Sequence, residues 1–205
     1  MSSETRSPAT PAVLATARPL PWLRATGIVL AASAFVAACA HVAVPLYFTP
    51  VPLTLQPFAV LLLGLLLSPR LAGASLIAYL GEGALGLPVF APAAASVPGL
   101  AHLFGPTAGY LLAYPFAAVI ISFAYRRLQR GFVPALLSAA LGNLVILSTG
   151  ALWLAMLTHA SVRVVLLQSF VPFLPGDALK VVAAASLAAV WLRFRQRNPG
   201  SLPTK

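Results

Sequence analysis

Apolar residues in this chain come in long unbroken runs rather than in alternation, and the runs end at proline, glycine or arginine. Runs of this kind predict helices buried in an apolar medium, not half-exposed strands. Six segments stand out. The first covers residues 22–44 and stops at Pro45; the second, residues 55–67, is short and ends at the Ser68-Pro69-Arg70 turn. The third covers residues 71–87, is interrupted by Gly81, Gly83 and Gly86, and is closed by Pro88. The fourth spans residues 108–125 and the fifth residues 132–157. The sixth begins near Pro175, since proline is tolerated in a first helical turn, and ends before Arg193. Between them lie three long connections, residues 45–54, 88–107 and 158–174, the first two rich in proline and poor in charge.

Composition turns these helices into membrane spans. The chain has 205 residues, 60% hydrophobic and 8% charged, whereas a soluble domain carries roughly 25% charged residues. Too little charge is present to cover a water-facing surface, so the expectation is an all-α integral membrane protein with six transmembrane helices. The basic residues orient it. Of 13 Lys and Arg, eleven (Arg6, Arg18, Arg24, Arg70, Arg126, Arg127, Arg130, Arg193, Arg195, Arg197 and Lys205) fall on one side of a six-span arrangement. Basic residues favour the cytoplasmic side, which predicts both termini in the cytoplasm and a multi-pass protein of the cell (inner) membrane. A disordered cytoplasmic tail is expected over residues 1–21, the membrane domain over 22–193 and a basic cytoplasmic tail over 194–205. The first apolar run is too long for a signal-peptide core and reads as a retained span. The net charge of +10 does not point to nucleic acid, because the basic residues sit at segment ends and form no stripe with interleaved aromatics.

Chemistry is sparse in such a chain, so its few polar residues carry the information. Only Glu4, Glu82 and Asp177 are acidic. Asp177 and Lys180, three apart at the start of the sixth helix, share a face near the outer surface. One reading is a structural pair with the lysine reaching for the interface. The other is a ligand site, the default for ionisable residues inside a membrane. Such a pair offers both a donor and an acceptor, which suits a neutral urea or amide better than a simple ion. Glu82 shares a face with Tyr79 and points either into the same cavity or to water; Asn143, in mid-span, makes either an interhelical hydrogen bond or a ligand contact. Gln56, Thr107 and Tyr110 stand at loop–helix junctions, where each caps a helix or touches a ligand. His41, His102 and His159 lack metal-site spacing, Cys39 has no partner for a disulfide, and no P-loop or nucleophile–base set stands out. Neither a catalytic role, a metal nor a cofactor is expected.

Four stretches carry a family resemblance: Pro-Val-Pro-Leu-Thr-Leu-Gln (50–56), Gly-Leu-Pro-Val-Phe-Ala (86–91), Phe-Gly-Pro-Thr-Ala-Gly-Tyr (104–110) and Phe-Leu-Pro-Gly-Asp-Ala-Leu-Lys (173–180). In this order and spacing they resemble the BioY family, the biotin-binding S components of energy-coupling-factor (ECF) transporters. The resemblance implies the six-helix S-component fold, a biotin pocket near the outer face, and head-group contacts from Asp177 and Lys180. It also implies partners: a membrane coupling (T) subunit and two cytoplasmic ATPase subunits. Apolar packing around the ligand is then expected from Phe90, Tyr110 and Tyr79. The sequence departs from the family pattern at Ala108, where a glycine is usual, at Glu82, where an apolar residue is usual, and after Phe90, where some members place a polar residue. For the tail carboxylate, Arg163 and the Thr107 region are the candidates. The rival functions are an S component for another small vitamin and a membrane scaffold without a ligand.

Overall fold

A computed structural model describes residues 21–92 and 98–197. Seven α-helices and one two-stranded hairpin follow in the order α1 (Pro21–His41), β1 (Ala43–Val44), β2 (Leu53–Thr54), α2 (Gln56–Leu66), α3 (Pro69–Ala84), α4 (Ala108–Arg127), α5 (Phe132–Thr158), α6 (Val162–Ser169) and α7 (Leu174–Arg197). Four stretches are long and apolar enough to cross a bilayer: α1, α4, α5 and residues Val162–Arg197. The remaining two predicted spans are shorter. With 11 and 16 residues, α2 and α3 reach only ~16 and ~24 Å, against a hydrocarbon core of about 30 Å.

The short α2 is the centre of the molecule. Seven of its eleven residues are buried, and it packs against α1, α4, α5 and α7. It starts where Pro57 occupies the first turn and ends before Ser68, whose side chain accepts from the Leu71 amide and starts α3. The space above α2 is filled by non-helical chain. Ala43 pairs with Thr54 and Val44 with Leu53 in the antiparallel hairpin, and the Leu55 amide donates to the Val42 carbonyl at 3.0 Å. The hairpin thus satisfies part of this segment's backbone polar groups within the protein.

α4 and α5 approach most intimately. A Cβ on Gly109 would lie 2.2 Å from the Cβ of Trp153, and one on Gly150 would lie 2.2 Å from the Tyr110 ring. Only glycine lets these surfaces meet, and small residues at helix crossings are the membrane route to close packing. Trp153 then closes the top by donating from Nε1 to the Gly105 carbonyl at 2.9 Å.

Helix ends move slightly from the predicted ones, and three loops acquire structure. The connection 45–54 lies largely within the hairpin, residues Gly99–Phe104 form a 3-10 turn, and the stretch read as a loop over 158–174 contains α6. α6 is too short to show a period, and Pro172 masked it. The membrane domain's last helix also continues to Arg197, so part of the predicted C-terminal tail is helical. Of the predicted N-terminal tail, Pro21 opens α1; its other residues and the remainder of the C-terminal tail lie outside the described residues.

Candidate functional site

Where the hairpin, the 3-10 turn and the start of α7 come together, they enclose a cavity of about 580 Å³, its open mouth included. Asp177 and Lys180 stand in its wall, 3% and 9% exposed. The Lys180 ammonium donates to Oδ1 of Asp177 at 2.8 Å. Asn143, reaching across from α5, donates from Nδ2 to Oδ2 at 3.3 Å. The Asn143 carbonyl oxygen is buried and has no hydrogen-bond partner. The carboxylate is thus held on both oxygens, and it lies in the first turn of α7, where the helix N-terminus favours negative charge.

This geometry has a chemical consequence. An ammonium group has three N–H donors and a carboxylate about four acceptor positions, so one ion-pair contact and one amide leave capacity on both groups. A ligand offering a C=O beside an N–H could be bound by Lys180 and Asp177 together without breaking the pair. The remaining wall is apolar: Tyr110 and Phe173 with ring centroids 6.3 Å apart, Tyr114, Ile146, Leu147 and the Val51-Pro52 edge of the loop above α2. Tyr110 is held in place by its hydroxyl, which donates to the Ser169 carbonyl at 2.5 Å and so ties α4 to α6.

The predicted site residues divide into three groups. Asp177, Lys180, Gln56, Thr107 and Tyr110 line the cavity. Behind them stand residues that hold the lining in place. Gln56 accepts from Thr54 Oγ1 at 3.2 Å and donates from Nε2 to the Tyr79 hydroxyl at 2.5 Å; that hydroxyl donates onward to the Val89 carbonyl at 3.0 Å. Phe90 meets Tyr79 edge-on at 5.5 Å and stacks at 4.7 Å on His102, which lines the cavity and lies 3.4 Å from Thr107 Oγ1. Asn143 belongs with this group, gripping Asp177 rather than facing the cavity. Glu82 goes elsewhere: its Oε2 accepts from Ser33 of α1 at 2.5 Å, and it is not among the lining residues. The face of α3 that carries it turns to α1, and the side chain is half-buried there. Arg163 is exposed on α6 and does not line the cavity.

Sequence reasoning missed Tyr114, Phe173, Ile146, Leu147 and His102. The four apolar or aromatic ones lie in apolar helices and turns, where one more apolar residue gives no contrast. Phe173 alone had a signal, as the first residue of the stretch that ends in Lys180.

Comparison with known proteins gives the chain its family. The family model described as the BioY family matches residues 10–197. The chain is 41% identical over 139 residues to a probable biotin transporter BioY of Pyrococcus horikoshii, covering 68% of this chain and 79% of that protein. It is 33% identical over 156 residues to the biotin transporter BioY of Thermotoga maritima, covering 76% and 88%. Its fold is similar to the crystal structure of the S-component for biotin from an ECF-type ABC transporter, with a TM-score of 0.76 and 25% identity over 84% of this chain and 92% of that one. A family match over nearly the whole described chain, agreeing in fold and in the relatives it brings, has one meaning: this chain belongs to the BioY family.

Proposed function

We propose that this chain is the substrate-capturing membrane subunit of a biotin uptake system, a transporter component and not an enzyme. The observation that carries the reading is the buried Asp177–Lys180 pair, braced by Asn143, in the wall of a cavity walled by aromatic rings. Biotin's ureido ring presents a carbonyl between two N–H groups, so Lys180 donates to the carbonyl and Asp177 accepts from an N–H. The thiophane ring and chain pack on Tyr110, Tyr114 and Phe173. Thr107 and His102, which line the cavity, meet the tail carboxylate. Tyr79, Phe90 and Asn143 position the lining from behind.

Six crossings are supported by completing the short α2 and α3 with the hairpin and loops, and by the arginines that this count gathers at one end. That end is the cytoplasmic one by charge bias, so the cavity opens outward, away from the arginines, in the cell membrane. As the family resemblance implies, the chain works with a membrane coupling subunit and two ATPase subunits that drive release inward.

Radiolabelled biotin binding to the purified protein tests this. Asp177→Asn and Lys180→Ala are each expected to weaken binding at least about tenfold, equivalent to ~1.4 kcal/mol. Wild-type binding by both variants would remove the site. Displacement of biotin by thiamine or riboflavin would favour a different vitamin, and absence of any small-ligand binding would favour the scaffold.

A further inference from the structure

The opposite end of the molecule holds a second cavity that biotin capture does not use. It lies between the ends of α2, α4 and α7, contains about 680 Å³ of space with its mouth included, and is lined by Tyr125, Arg126, Arg130, Trp191 and Arg195 together with leucines. Three arginines share one wall system, yet Asp177–Lys180 is the only salt bridge among the described residues. Their charge therefore has no counter-ion in the described chain. Arg126 is oriented from below: its Nε donates to Ser122 Oγ at 3.3 Å, and that hydroxyl donates to the Leu67 carbonyl at 2.7 Å. Arg195 lies over the Trp191 ring, 5.2 Å from its centroid.

The second observation is Tyr125. It is 4% exposed, its side chain lines this cavity, and its buried hydroxyl has no hydrogen-bond partner. An unmet buried hydroxyl is costly, so a hydroxyl that lines one cavity with three uncompensated guanidinium groups marks a place for an anionic acceptor. Oxygen-rich phosphate suits it, because arginine forks match phosphate geometry and a neutral Tyr O–H adds a donor.

A third feature says where the phosphate comes from. An almost wholly apolar groove runs between α2 and α7, lined by Leu62, Leu66, Leu187, Val190, Trp191 and Phe194. It shares Leu66 and Trp191 with the basic cavity, so the two adjoin. A free anion has no use for the groove, whereas a phospholipid has both parts. We propose that cavity and groove together hold one anionic phospholipid, its phosphate among Arg126, Arg130, Arg195 and the Tyr125 hydroxyl, and an acyl chain between α2 and α7. Basic pockets between helices bind lipid head groups in this manner. General attraction of anionic lipid to interfacial arginines is the competing account, and Arg127 separates the two. It neighbours Arg126 but sits 4.8 Å over the Phe123 ring and does not line the cavity.

The experiment counts lipids retained by the purified full-length protein, using native mass spectrometry. Phosphatidylglycerol and phosphatidylcholine with the same acyl chains are the probes, each with and without excess inorganic phosphate. One phosphatidylglycerol is expected to be retained at least about tenfold better than phosphatidylcholine. Combined Arg126→Gln and Arg195→Gln should abolish that preference, Tyr125→Phe should lower retention about fivefold, and Arg127→Gln should leave it unchanged. Each variant is first checked for a single thermal transition at the wild-type temperature, and biotin binding is measured alongside, so loss of the lipid site and loss of biotin capture are read separately. Equal retention of the two lipids, wild-type behaviour of Tyr125→Phe, or an Arg127→Gln effect as large as that of the Arg126/Arg195 pair would overturn the proposal. So would displacement of the lipid by inorganic phosphate, which would make the site one for a free anion.

Discussion

α7 carries charge at both ends and handles it in opposite ways. At its first turn Asp177 and Lys180 are buried and neutralise each other, with Asn143 on the remaining carboxylate oxygen. At its last turns Arg193, Arg195 and Arg197 are exposed and meet no carboxylate among the described residues. The difference follows from what each end faces. A charge enclosed by protein must bring its partner with it, since desolvation is too costly otherwise. A charge at the membrane–water boundary can take its partner from outside. The two proposals follow that contrast: a preformed polar site for a neutral ligand at one end of the helix, and a set of donors for an anion at the other.

Breaking the pair one residue at a time should have the largest effect. Asp177→Asn leaves Lys180 buried without its counter-ion, and such changes cost about 3–5 kcal/mol in buried settings. The double variant Asp177→Asn/Lys180→Met removes both charges and is expected to recover thermal stability to within about 1 kcal/mol of wild type while biotin binding stays lost. At the other end Arg195→Gln is expected to change stability by no more than about 0.5 kcal/mol. If the double variant binds biotin normally, the pair is structural. If Arg195→Gln destabilises as much as Asp177→Asn, the contrast between the two ends fails.

The second effect concerns the wall rather than the charges. A Cβ at Gly150 would stand 2.2 Å from the Tyr110 ring, whose hydroxyl is fixed on Ser169. Gly150→Ala must push that ring, and overpacking of this kind costs about 1–3 kcal/mol. The displaced ring moves toward the cavity, so biotin affinity should fall while phosphatidylglycerol retention is unchanged. Gly27→Ala, with nothing within 4 Å of the added carbon, is the control and should alter neither. A biotin affinity for Gly150→Ala equal to that of Gly27→Ala would show that Tyr110 is not a wall of the site.

Legibility in the sequence followed contrast. Helices were readable because proline, glycine and arginine interrupt apolar runs, and Asp177 and Lys180 because charge is rare there. Gln56, Thr107 and Tyr110 were found at helix starts, where polar groups meet loops. Tyr114, Ile146 and Leu147 were invisible, since burial toward a cavity and burial toward a neighbouring helix use the same residue types. Glu82 was visible, but its partner, Ser33, lies 49 positions away on α1, and no local pattern records that contact. The arginine cavity was read only as a topological signal. Its content depends on α2, α4 and α7 ending together around Tyr125, which is a property of packing and not of any one segment.

The smallest predicted effect isolates how the arginine end is organised. Ser122 is buried, 1% exposed, and links the Leu67 carbonyl to the Arg126 Nε. Ser122→Ala deletes the hydroxyl that aims Arg126 but keeps every charge. If the end acts through net charge alone, phosphatidylglycerol retention should not move. If it acts through a shaped site, Arg126 regains side-chain freedom that binding must then remove, at a cost of about 0.5–1 kcal/mol, and retention should fall two- to fivefold. Biotin binding at the far end of the helix bundle should stay at the wild-type value in either case. The loss should also be absent in an Arg126→Gln background, because Ser122 then has no guanidinium to aim; a full loss there would mean that the hydroxyl supports the helix packing and not the donor.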